Sequence, residues 1–228
     1  GADIHVKDDY HGTPLHEACL KANTSIAMTL MEKCADINAA NHLRETPLHT
    51  VCRLIDSVTG QQKYELLKAL VDKGSNLHAV DHLQCTPLYA LSSFHEDMIL
   101  FLIDRGADIH TRNEIGNTLL HMACQNLQYA LVEFYINKGL DISATNLQQE
   151  TPLHLQTSSK TFYDRELIAL LVRNGAYVYA RDDQNRLPLL KEDMIDVFQR
   201  LWYGTPLMRA MLDRDLDLFE ALLHDETV

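Results

Sequence analysis

The sequence predicts an all-α solenoid of stacked helix pairs joined by β-hairpin-like loops. Three recurrences predict it. The first is Thr13-Pro14-Leu15-His16, which returns as Thr46-Pro47-Leu48-His49, Thr86-Pro87-Leu88-Tyr89, Thr118-Leu119-Leu120-His121 and Thr151-Pro152-Leu153-His154. The second is Gly1-Ala2-Asp3-Ile4-His5, which returns unchanged from Gly106 and in altered form from Cys34, Gly74, Gly139 and Gly175. The third is a broken apolar pattern between each Thr and the next Gly, as in Leu15, Ala18 and Cys19 followed by Ile26, Leu30 and Met31.

Each recurrence has a physical job. Thr accepts a backbone N–H as an N-cap, and Pro at the next position has a preset φ and no N–H to leave unpaired. Every copy therefore starts a helix. Gly after a helical pattern supplies the left-handed stop. Turn formers follow it: Asp8, Asn41, Asp81, Asn113, Asn146 and Asp182 read as hairpin-like connections. The apolar spacing fits two short amphipathic helices, neither able to bury its face alone, so the repeats must stack.

Hairpin, TPLH-initiated helix, loop and second helix ending at Gly-Ala-Asp together resemble the ankyrin-repeat family, and the resemblance covers most of the chain. It implies stacked ankyrin repeats in one domain over residues 1–228. A partial hairpin occupies 1–12, and repeats occupy 13–45, 46–85, 86–117, 118–150 and 151–186. A degenerate repeat occupies 187–204 and a C-terminal helix pair 205–228. The last part is the least regular. Either the sixth repeat has lost half its parts, or residues are missing between about 190 and 204, the joint that holds Trp202. Extra residues near Ile55 to Gln62 and near Ser159 to Tyr163 read as surface loops.

Composition narrows the function. A net charge of −12 repels phosphate backbones and anionic lipid, so no nucleic-acid partner is expected. No apolar run reaches the ~20 residues that span a bilayer, so no membrane insertion is expected. The five cysteines form no C-x-x-C pair, which favours reduced thiols and a cytoplasmic setting. Cys19, Cys52 and Cys124 share one buried position, whereas Cys85 is expected at an exposed hairpin edge. The N-terminus lacks an initiator Met and carries no targeting signal, which reads as a fragment or processed product with repeats or a partner domain upstream. The chain is expected to be monomeric or tethered to adjacent domains.

Twelve histidines invite a metal site, and the repeat spacing argues against one. His16, His49, His121 and His154 occupy one register position. Equivalent positions in stacked helices lie about 8–10 Å apart, so they cannot converge on a metal that needs nitrogens at about 2 Å. The resemblance implies a structural role instead, with the TPLH histidine bonding the Thr side chain and the loop backbone. Thr13, Thr46, Thr86, Thr118 and Thr151, with those histidines, are read as scaffold. Tyr89 departs from the pattern. No nucleotide, serine-hydrolase or zinc-protease motif is present, and neither catalysis nor a cofactor is expected.

A binding surface remains. Three residues before each Thr is the hairpin tip: Tyr10, Leu43, Leu83, Ile115, Gln148 and Gln184. Four consecutive tips are large and apolar, which marks an interaction site if they stay exposed. The competing reading folds them down onto one another. The family's positions on the first helix map to Leu20, Lys21, Arg53, Leu54, Phe94, Gln125 and Asn126, so that Leu20, Leu54 and Phe94 extend the apolar row down a concave face. Polar neighbours Glu45, Arg53, Arg112 and Glu150 would supply selectivity. The resemblance thus implies a module that binds a partner protein. The alternative is a regulatory or targeting arm of a larger protein. The uneven repeats and the non-Gly hairpin residues Arg44, Gln84 and Gln149 are similar to ankyrin proteins that intracellular bacteria and poxviruses use as effectors, which would place the chain in host cytosol.

Overall fold

The computed structural model describes residues 3–54, 60–91, 96–157 and 164–188. The degenerate repeat and the C-terminal helix pair, with Trp202, fall outside the described residues apart from 187–188. So do Phe94 and the segment 159–163. The described residues are helical and contain no named strand. Helices come in pairs: α1 (Pro14–Leu20) with α2 (Thr24–Glu32), α3 (Pro47–Cys52) with α4 (Gly60–Asp72), α5 (Pro87–Ala90) with α6 (Glu96–Asp104), α7 (Leu119–Gln125) with α8 (Tyr129–Asn137), and α9 (Pro152–Thr157) with α10 (Arg165–Arg173). The fold is an all-α stack of repeats. Contacts group the chain into two compact bodies, Gly1–Leu119 and Leu120–Val228.

In the first body α1 packs against α2 and α3, α3 against α4 and α5, and α2 against α4. Leu15, Leu48, Leu66, Leu67, Leu70 and Leu102 are fully buried there. In the second body α9 packs against α10, and Leu131, Val132, Leu167, Ile168 and Leu171 are fully buried. Burying a leucine side chain contributes about 2 kcal/mol, so these layers supply most of the stability that such short helices lack alone.

Thr13 and Thr46 sit in extended backbone immediately before Pro14 and Pro47, and each helix begins at its proline. The second helices end in one way. Cys34, Gly74, Gly106, Gly139 and Gly175 all have positive φ, between 65° and 97°. The next amide reaches back to the last turn, as in Ala35 N to Leu30 O (2.9 Å) and Ala107 N to Leu102 O (2.9 Å). This is the left-handed helix stop that glycine adopts freely. Cys34 adopts it with a side chain, at φ 65° and exposed to solvent. Cys34→Gly is therefore expected to stabilise the chain by about 1 kcal/mol, read as a raised thermal midpoint.

The extra residues of the second repeat correct one expectation. They do not all form a loop, because Gly60, Gln61 and Gln62 begin α4. That helix runs for 13 residues where α2, α6, α8 and α10 have 9. The added turn brings Lys63 inside, 2% exposed, where its Nζ donates to the Leu54 carbonyl at 2.8 Å. A buried ammonium needs such an acceptor.

Candidate interaction surface

The hairpins repeat one hydrogen-bond design. An Asp or Asn five residues before each helix-starting position accepts two backbone N–H groups with one oxygen. Asn41 Oδ1 takes Leu43 N (2.9 Å) and Glu45 N (3.0 Å), and Asp81 Oδ1 takes Leu83 N (2.8 Å) and Cys85 N (2.9 Å). Asp8, Asn113, Asn146 and Asp182 do the same. The same residues' amides close each loop, as in Asn41 N to Glu45 O at 3.0 Å. His11, Arg44, Gln84, Gln149 and Asn185 follow each tip at φ between 57° and 61°. The side-chain bonds hold these left-handed turns without glycine.

In four of the hairpins the second atom of the Asp or Asn decides which charge sits beside it. Where it is an amide, it donates to a glutamate: Asn41 Nδ2 to Glu45 Oε2 and Asn146 Nδ2 to Glu150 Oε2, both 2.9 Å. Where it is an oxygen, it accepts from an arginine. Arg186 Nε donates to Asp182 Oδ2 at 2.5 Å, and Arg53 donates to Asp81 Oδ2. Arg53 also pairs with Glu45 at 2.9 Å. The Arg53, Glu45 and Glu150 side chains are thus engaged by the scaffold. Arg112 lies exposed and donates to the Gly116 carbonyl at 2.8 Å, bracing its hairpin.

The tips are joined edge to edge. In the first body His42 N donates to Tyr10 O (2.9 Å), His82 N to Leu43 O (2.9 Å) and Glu114 N to Leu83 O (2.8 Å). In the second body Asp183 N donates to Gln148 O at 3.0 Å. His42 Nδ1 also faces the Tyr10 carbonyl at 2.9 Å, which assigns its proton to Nδ1. The ladder fixes the backbone and leaves the tip side chains outside. Tyr10 is 67% exposed, Ile115 42% and Leu83 37%, while Leu43 is half-buried.

Below the tips the Thr and His side chains tie hairpin to helix. Thr13 N (3.2 Å) and Thr13 Oγ1 (2.9 Å) meet His16 Nδ1, and His16 Nε2 meets the Glu45 carbonyl of the next hairpin at 3.0 Å. Thr46, His49 and the Cys85 carbonyl repeat this, as do Thr151, His154 and the Arg186 carbonyl. His121 Nε2 meets the Glu150 carbonyl at 3.0 Å. Nδ1 faces an N–H and so accepts, while Nε2 faces a carbonyl and so carries the proton. The His16, His49 and His154 rings thus fit as the neutral tautomer. Burial pushes His16, His49 and His154 below the ordinary 6.5. Thr118 and His121 are buried at the same register positions. In the third repeat Tyr89 is buried, and its amide donates to Thr86 Oγ1 at 3.3 Å.

Two expectations are overturned. Leu54 is 7% exposed and belongs to the core, because α3 stops at Cys52 and the chain turns inward where Lys63 meets the Leu54 carbonyl. Cys85 is 6% exposed, since the Asp81 loop draws it under the tip. Burial pushes the Cys19, Cys52 and Cys85 thiols up to about 12, and Cys124 also upward, which leaves them unreactive. Leu20 is 54% exposed at the end of α1, and Gln125 is exposed in the second body. The tip register misses Leu147, 68% exposed one residue before the Gln148 tip. Its signal is an apolar residue where the other repeats carry Asp9, His42, His82, Glu114 and Asp183. It also misses Leu127, 45% exposed and held at φ 55°. Among the described residues no group of His, Cys, Asp or Glu is placed to hold a metal ion, and no helix is long and apolar enough to cross a membrane.

Comparison with known proteins agrees with this design. Family models for ankyrin repeats match residues 11–42 and, as many copies, residues 88–134. Neurogenic locus notch homolog protein 1 of Homo sapiens is 29% identical over 161 residues, which are 68% of this chain and 6% of that protein. A Fowlpox virus (strain NVSL) protein named for its ankyrin repeats is 22% identical over 167 residues, 62% of this chain and 34% of that one. The chain thus spans only a small part of these relatives. The crystal structure of the human ASB11 ankyrin repeat domain superposes with a TM-score of 0.70 at 21% identity, covering 94% of this chain and 88% of that one. Stacked helix pairs with hairpin connections define a repeat protein. The chain belongs to the ankyrin-repeat family. Ankyrin repeats generally serve as protein–protein interaction modules, and the fold is typically non-catalytic.

Proposed function

We propose that this chain is a non-catalytic interaction module, and that a partner protein seats on the tips of its first body. Tyr10, Leu83 and Ile115 are the apolar contacts, with Leu43 half-buried between Tyr10 and Leu83 in the ladder and Leu20 adding surface at the end of α1. One observation carries the reading: three large apolar tips stay exposed while the amides of His42, His82 and Glu114 hold the hairpins edge to edge. Little ordering cost remains for such a surface on binding, and apolar groups that folding leaves outside gain by being covered. Arg53 and Glu45 serve the scaffold and so leave selectivity to Arg112, Glu114 and the tip histidines. A net charge of −12 argues against nucleic acid as the partner.

A photoreactive amino acid at position 83 or 115 is expected to cross-link the partner, and the same group at Lys68, exposed on α4, is expected not to. Cross-linking from position 68 alone would place the surface on the second helices instead.

A further inference from the structure

The added turn of the second repeat builds one wall of a groove. α4 runs for 13 residues where α2 and α6 have 9, and its first residues, Gly60 and Gln61, line the groove together with Tyr64. The facing wall is α6, and both helices belong to the first body. The space between them measures about 790 Å³.

The α6 wall carries an ordered pattern. Asp97, Leu100, Phe101 and Asp104 stand at i, i+3, i+4 and i+7, so they share one helix face. That face reads acid, apolar, acid, with its two carboxylates about 10 Å apart along the axis. Glu96 adds a third carboxylate beside Asp97. Across the groove Tyr64 meets Phe101 edge to face, with ring centroids 5.8 Å apart. Tyr64, Leu100 and Phe101 are all half-buried, so folding leaves an apolar floor partly uncovered.

The acids here are unmatched. Glu96, Asp97 and Asp104 are exposed and make no ion pair among the described residues. No Lys or Arg among those residues lines the groove. Arg105, next to Asp104, is committed to Asp72 at 2.5 Å and to the Phe101 ring at 4.6 Å. Gln61 gives its Nε2 to Glu65 at 2.8 Å, which leaves its carbonyl oxygen as an acceptor. A metal ion does not match this spacing, because its ligands must converge to about 2.5 Å. A cation charged at both ends, with an alkyl chain between, does match it.

We propose that the groove between α4 and α6 binds a linear polyamine such as spermidine. One terminal ammonium meets Asp97 and Glu96, and the other meets Asp104. The alkyl chain crosses Tyr64, Leu100 and Phe101, whose rings also attract the ammonium groups, and the inner amine donates to Gln61. Each exposed charge pair is weak alone and screened by salt. Holding one end makes the second contact intramolecular, so affinity depends on chain length. The groove is built from second helices and is separate from the tip surface.

Calorimetric titration at low salt tests this. Diaminooctane is expected to bind about tenfold tighter than diaminopropane, although both carry two charges. Spermidine is expected to shift the Tyr64 and Phe101 ring signals in NMR spectra. Asp97→Asn with Asp104→Asn is expected to weaken spermidine binding about tenfold. Glu32→Gln with Glu133→Gln removes the same charge from exposed positions on α2 and α8 and is expected to change it less than about twofold. Equal losses in the two double variants would overturn the proposal, because the net charge of the chain alone would then draw the ligand. Equal affinity for the two diamines would also overturn it. So would tighter binding of an amidated dilysine peptide of spermidine's charge, since the occupant would then be a protein segment.

Discussion

Arg53→Ala is expected to destabilise the first body by about 3 kcal/mol. The reason is the carboxylate it leaves behind. The Asp81 side chain is fully buried, and its Oδ1 is already committed to the amides of Leu83 and Cys85. Its Oδ2 meets the Arg53 guanidinium, which also holds Glu45 at 2.9 Å. Removing one partner of such a pair leaves an uncompensated charge in a poorly solvated place. The Arg53 side chain keeps 36% exposure, so water recovers part of the loss and holds the effect to the lower end of that class. Asp81→Asn on top of Arg53→Ala is expected to restore much of the stability. Asn supplies the same Oδ1 without the charge, as Asn41, Asn113 and Asn146 do in their own hairpins. Urea unfolding of the two single variants and the double variant measures the coupling. An Arg53→Ala change within about 0.5 kcal/mol of the parent would show the pair to be a surface contact of no consequence.

His49→Ala is expected to cost a similar amount, about 3 kcal/mol. Its ring is fully buried and joins three groups: the Thr46 amide, the Thr46 hydroxyl and the Cys85 carbonyl. Alanine leaves the Thr46 amide without its acceptor and opens a cavity between hairpin and helix. The same histidines set an acid limit. Burial holds His16, His49 and His154 below their ordinary 6.5, so the unfolded chain binds protons that the folded chain refuses. Their contribution is fully present above pH 6.5 and is lost as pH falls through the lowered folded values. Unfolding midpoints measured on either side of 6.5 are expected to fall towards acid in the parent chain. The fall is expected to be shallower in His49→Ala, which has one such group fewer. An equal slope in both would remove His49 from the account.

Local chemistry was legible and long-range pairing was not. Thr13 and His16 are three residues apart, within one helical turn, and the resemblance to the ankyrin-repeat family implied their bond, while the Asp or Asn at each hairpin announces its turn within four residues. Arg53 and Asp81 are 28 residues apart, in different repeats. Nothing in either neighbourhood says that they meet, and Arg53 therefore reads from sequence as a free surface cation. Leu54 misled for a related reason. Its burial depends on where the inserted residues of the second repeat begin their helix, and Lys63 settles that by docking on its carbonyl. The exposure of Tyr10, Leu83 and Ile115 depends on the ladder amides of His42, His82 and Glu114, which pin the tips apart from the core. Periodicity gives the position of a tip. It does not tell whether its side chain turns in or out, and Leu43 lies half-buried between two more exposed neighbours in the same row.

The central claim is a division of labour: the Thr and His registers hold the repeats together, and the tip register meets the partner. The most direct measurement pairs the thermal midpoint with affinity for the partner captured through position 83, in Tyr10→Asp with Leu83→Asp against the parent chain. The claim predicts a midpoint close to that of the parent and an affinity lower by about a hundredfold or more. A collapsed midpoint, or unchanged affinity in a fully folded variant, would contradict it.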